Sequence, residues 1–89
     1  MGQMVNLRAE FFKEGNIYVA LCPELNVSSF GDSLEEAKQS LTEAVEVFLE
    51  ECERMGTLED VLEEAGFSLH DGIWFTRENL FEERLIVSR

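Results

Sequence analysis

The sequence predicts a two-layer α+β fold, an antiparallel sheet of about four strands in the order β-β-β-α-α-β packed on one long amphipathic helix. Three observations lead there. Val5, Leu7, Ala9 and Phe11 alternate with Asn6, Arg8 and Glu10, the period of a half-buried strand. Leu34, Ala37, Leu41, Ala44, Val45, Phe48, Cys52 and Met55 recur at helical spacing. Between them, Gly15-Asn16 and Pro23-Glu24-Leu25-Asn26 cut the remaining apolar residues into short strands joined by tight turns.

Taken in order, residues 5–11 form the first strand, and Gly15-Asn16 tolerates the positive φ of a hairpin turn. Ile17 to Cys22 is apolar at nearly every position, as in a strand buried on both faces. Pro23 ends it, because proline lacks the N–H that a central ladder needs. Val27 to Phe30 is a third strand. The helix then starts at Ser33, an N-cap with Glu36 at capping-box distance, and runs to about Met55, where Gly56 suits the C′ position. Thr57, with Asp60 three residues on, is expected to cap a second helix whose apolar side is Leu58, Val61, Leu62 and Ala65, ending at Gly66. Phe67 and Leu69, the turn His70-Asp71-Gly72, and Ile73-Trp74-Phe75 read as a small hairpin or an irregular strap. Arg84 to Val87 is expected to be a final strand closing the sheet.

Length and composition allow one domain over residues 1–89. An apolar fraction of 45%, with seven Phe, marks a globular rather than a disordered chain. A domain this small has a thin core, so oligomerisation to a dimer or tetramer is a natural supplement. The apolar second strand supports that, since its side away from the helix would meet a partner. Seven Lys and Arg against nineteen Asp and Glu give a net charge of −12, which repels phosphate backbones and anionic lipid. Direct nucleic-acid binding is therefore not expected, and a basic protein partner fits better. Acidity that serves only solubility is the plainer alternative. No signal peptide is visible in Met1 to Glu10 and no stretch is long and apolar enough to span a bilayer, so a cytoplasmic location is expected. Cys22 and Cys52 form no CxxC pair and read as small buried apolar residues, with neither a disulfide nor a metal site expected.

The stretch from Ile17 to Leu49 carries an ordered pattern: a Tyr18-Val19-Ala20 strand, Cys22-Pro23-Glu24-Leu25, Gly31-Asp32-Ser33-Leu34-Glu35-Glu36-Ala37, then Glu43-Ala44. Further on come Leu58-Glu59, Leu62-Glu63-Glu64-Ala65-Gly66-Phe67, and a Trp. Together these resemble the HicB family of antitoxins over nearly the whole chain. The resemblance implies a truncated RNase H-like α+β domain without nuclease activity. It also implies a partner, a small basic RNA-cleaving toxin of the HicA type whose active site the antitoxin covers. Family members usually add a DNA-binding domain. This sequence runs to Arg89 without one, so autoregulation is not expected of it.

The residues themselves suggest no catalytic set, cofactor or metal site. Glu10 is the only acidic residue inside the first strand, and Asp32 is accounted for at a helix start, so the carboxylate cluster of RNase H chemistry is missing. His70, the only histidine, sits in a turn with no evident partner. The candidate partner-binding residues are Glu46, Glu50 and Glu53 on the acidic helix face, Glu24 in the proline turn, and Trp74. Each has a plainer reading: a solvated helix face, a strand terminator, and a core aromatic. Two functions from different classes remain open: an antitoxin-like binding protein, or a structural or regulatory homo-oligomeric adaptor or small-ligand-binding domain with no toxin.

Overall fold

The structure, a computed structural model, describes residues 3–76 and 81–89. Among these the order is β1 (Met4–Val5), β2 (Glu10–Glu14), β3 (Ile17–Cys22), β4 (Val27–Gly31), α1 (Leu34–Met55), α2 (Leu58–Glu64), β5 (Ser68–His70) and β6 (Ile73–Phe75). The chain is α+β, as its patterning predicts. The strands form two three-stranded sheets, however, ordered β2-β3-β4 and β1-β6-β5, rather than one sheet of about four.

The first sheet is antiparallel, with β3 central. Gly15, at φ 61°, takes the positive-φ position of the β2–β3 hairpin. At the next turn the N–H of Asn26, at φ 56°, donates to the Pro23 carbonyl at 3.3 Å. Gly31 ends β4 because the chain enters α1 at very close range. A Cβ there would lie 2.6 Å from the Ala37 nitrogen. Ser33 caps α1, its Oγ accepting from the Glu36 N–H at 3.1 Å. Glu36 returns the bond to the N–H of Asp32, at 2.9 Å, and not to that of Ser33, so the capping box reaches one residue further than expected. Gly56, at φ 74°, closes the helix with its N–H on the Cys52 and Glu53 carbonyls.

Helix α1 lies across β3 and β4. Ala20 and Cys22 of the sheet meet Ala37, Leu41 and Val45 of the helix. The small side chains of Ala20 and Ala37 let the two layers approach closely. A second cluster, Leu62, Phe67 and Trp74, joins α2 to the second sheet. Leu7, Leu25 and Leu49 pack against both clusters, so the two are continuous. Cys22 and Cys52 are both buried and free, as small apolar residues would be.

Several expectations are corrected. The strand expected over 5–11 is split between the sheets. Met4 and Val5 pair in parallel with Ile73 and Trp74, while Glu10–Glu14 pairs with β3. The alternation is real, but two different partners use its ends. The segment 84–87 is not a strand: Leu85, Ile86 and Val87 are 81%, 101% and 72% exposed. β-branched content sets a preference, but a strand also needs a partner, and here β1 occupies the free side of β6. Thr57 makes no side-chain cap. Its backbone has turned away from the extended conformation, at ψ 6°, and its hydroxyl donates to the Cys52 carbonyl at 3.4 Å. The apolar stripe of α1 is narrower than drawn. Leu34 and Met55 are exposed at its two ends, and Leu49, not Phe48, completes the core line. Of the two readings open for the segment after α2, the small hairpin is the one that forms, with Asp71 at φ 52° and Gly72 at φ 80° matching a type I′ turn.

Candidate partner-binding surface

Glu46, Glu50 and Glu53 follow at i, i+4 and i+7 along α1, all exposed and turned away from Ala37, Leu41 and Val45. At a rise of 1.5 Å per residue they form a continuous line about 10 Å long. Glu43 extends it, held by a 3.0 Å bond from Gln39 Nε2. At the far end Glu53 borders a shallow hollow with Glu59 and Asp60 at the start of α2. These carboxylates are exposed, so their combined field acts outward, at range, on an approaching cation.

Beside this line runs an apolar groove of about 550 Å³. One wall is the extended segment Met4, Val5, Leu7, Ala9 and Phe11, and the other is Leu41, Val45 and Leu49 of α1. The groove exists because α1 covers β3 and β4 but leaves β2 largely uncovered. Phe11 pairs across from Ala20 and so points to the helix side, yet it stays 39% exposed. Lys38, Thr42 and Glu46 line the helix rim. Glu46 therefore belongs both to the acidic line and to the groove, which gives an apolar centre with a charged border, the usual anatomy of an interface.

The other two candidate residues lie elsewhere. Glu24 is half-buried and internally engaged: its Oε2 accepts from Arg8 Nε at 2.9 Å, and its Oε1 lies 3.8 Å from Cys22 Sγ. That bond, with the attraction behind it, holds the Arg8 guanidinium further above its ordinary value. The pair ties the segment between β1 and β2 to the proline turn. Trp74 is 2% exposed and belongs to the core, its Nε1 donating to Gln3 Oε1 at 2.9 Å, so it offers a partner no surface. Of the five residues, three form one surface and two hold the fold together.

Sequence patterning did not reveal the groove. Its signal was the adjacent pair Phe11-Phe12, since a strand must send one of two neighbouring residues to each face. Phe12 stands on the face away from the helix, across from Val19, with Phe30 beyond it, and both phenylalanines are exposed.

His70 lies exposed on β5 beside its turn. Burial, the largest cause, pushes the Cys22 thiol above its ordinary value and keeps it in the weakly nucleophilic protonated form. Among the described residues no group of three or more His, Cys, Asp and Glu is placed to hold a metal ion, and no helix is long and apolar enough to cross a membrane. Comparison with models of protein families, with curated proteins and with solved structures found no match.

Proposed function

We propose that this chain is an acidic protein-binding module that neutralises a small basic RNA-cleaving toxin of the HicA type by covering its active surface, as its resemblance to HicB antitoxins implies. The observation that carries the reading is the acidic line of Glu46, Glu50 and Glu53 running beside an apolar groove. A nuclease that binds RNA must present cations, and those cations are what the line attracts. The net charge of −12 steers the encounter, while the groove accepts an apolar side chain and slows dissociation. No bond is made or broken. Inhibition is steric, since a toxin held here cannot also hold RNA.

The test is growth rescue. The chain is co-expressed with any small basic reading frame found beside its gene, and colony formation is scored; a gene with no such neighbour counts against the reading. Toxicity of that frame alone, relieved by this chain and accompanied by co-purification, supports the reading. A harmless frame, or a toxic one neither rescued nor bound, sinks it. The groove volume of about 550 Å³ also falls within the range of small-molecule sites, which favours a ligand-binding module as the second reading. A thermal-shift gain with an apolar carboxylate-free ligand, in a chain that binds no basic protein, would select it.

A further inference from the structure

We propose that a second copy of this chain docks on the outer edge of β4 and the adjoining flank of α1, giving a two-fold dimer with one continuous sheet. The inference rests on the edges of the sheets and not on the function proposed above. Exposed strand edges invite pairing, and proteins guard them with charges, prolines or shortness. Three of the four edges here are guarded. β2 carries Glu10, Lys13 and Glu14, β1 has 2 residues, and β5 has 3. β4 is the exception. Its 5 residues, Val-Ser-Ser-Phe-Gly, hold no charge and no proline in a chain that is 29% charged. Apart from its ladder with β3, no hydrogen bond reaches β4 among the described residues.

The side chains next to that edge suit a second copy. Phe30 is 63% exposed. Ser40 borders the same hollow as Phe30 and Gly31, so this flank of α1 faces the β4 edge. Ala44 and Val47 continue the flank at i+4 and i+7, and Val47 is 65% exposed. Small and apolar residues therefore stand along the first half of this flank, and Glu51, ion-paired with Arg54, follows at its C-terminal end. Antiparallel pairing of β4 with its copy about Ser29 sets Ser28 against Phe30 and Val27 against Gly31, and puts no like charges opposite each other. A helix lying over β3 and β4 is about one strand spacing, ~5 Å, from such a two-fold axis, so the two copies of α1 come ~10 Å apart, a normal packing distance. A specific interface needs a total of about 1,000 Å², which the strand edge, Phe30 and the helix flank have to supply together. The groove and the Glu46 line lie on the opposite flank of α1 and stay open in both copies.

Sedimentation velocity on the full chain at micromolar concentration tests this. The expected result is a species of twice 10.2 kDa. Val47→Glu and Phe30→Lys, each with unchanged circular dichroism and melting temperature, should weaken the dimer at least tenfold. Phe12→Lys, on the same sheet face but at the β2 edge, should not. Amide exchange on β4 should slow as concentration rises. A monomeric wild-type chain overturns the proposal. So does a dimer that Val47→Glu and Phe30→Lys leave intact, or one that Phe12→Lys breaks equally.

Discussion

The indole Nε1 of Trp74 donates to the side-chain oxygen of Gln3 at 2.9 Å, across 71 positions of sequence. The bond lies just before β1 and beside its parallel register with β6, so it fastens the start of the chain to the last hairpin. Replacing Gln3 with Leu would leave the indole N–H without its partner in a part-buried site. A loss of about 1–3 kcal/mol is expected. Denaturant unfolding followed by the fluorescence of the single Trp would measure it.

Core truncations should follow burial and not the breadth of the apolar stripe. Leu62 is 0% exposed and Leu41 is 4% exposed, and each truncation to Ala should cost about 2–5 kcal/mol. Phe48 is half-buried and outside both core clusters, so Phe48→Ala should cost less than Leu62→Ala despite removing a larger side chain. Equal or reversed losses in denaturant melts would show that Phe48 packs more deeply than its exposure indicates.

Gly31 is needed for space. A Cβ there would sit 2.6 Å from both the Ala37 nitrogen and Glu36 Cβ, so Gly31→Ala must push α1 away from β4. A cost of about 1–3 kcal/mol is expected, whereas Gly-to-Ala in an unconstrained site is stabilising. A melting temperature that does not fall would mean the helix start yields without strain.

Reversing Glu46, Glu50 and Glu53 to Lys changes the net charge from −12 by three steps of two, to −6. All three are exposed, so the fold should melt no lower than the wild type. The association rate with a basic partner should fall, and so should its dependence on salt, because screening acts on the steering field that these residues supply. Stopped-flow association at two salt concentrations reads both. An unchanged rate would remove the acidic line from the binding surface.

Alkaline pH should weaken the fold through Cys22. Burial raises its thiol pKa, so between the unfolded and folded values the unfolded chain ionises first and unfolding is favoured. The stability is thus intact below the ordinary value of 9.0 and is lost as pH rises through the raised one. Melting temperatures across that range, compared with Cys22→Ala, should show a steeper alkaline decline in the wild type.

Local chemistry accounts for what the sequence determined by itself. The bounds of β3, β4 and α1 follow from Gly15, Pro23, Ser33 and Gly56, each acting within a few residues of where it stands. The acidic line was legible for the same reason, since helical spacing alone places Glu46, Glu50 and Glu53 on one side. Tertiary structure decided everything that needed a distant partner. Alternation in Val5 to Phe11 says that the segment is extended, but not that β1 pairs with β6 while β2 pairs with β3. Strand preference in Leu85, Ile86 and Val87 led to no pairing, and the strand beside β6 is β1 instead. Glu24 and Trp74 became structural through Arg8 and Gln3, partners 16 and 71 positions away. The groove arises because α1 covers two strands of its sheet and not the third. Periodicity and capping report each residue's neighbours along the chain, whereas pairing, burial and concavity depend on which segments meet, and that is settled only when the whole core packs together.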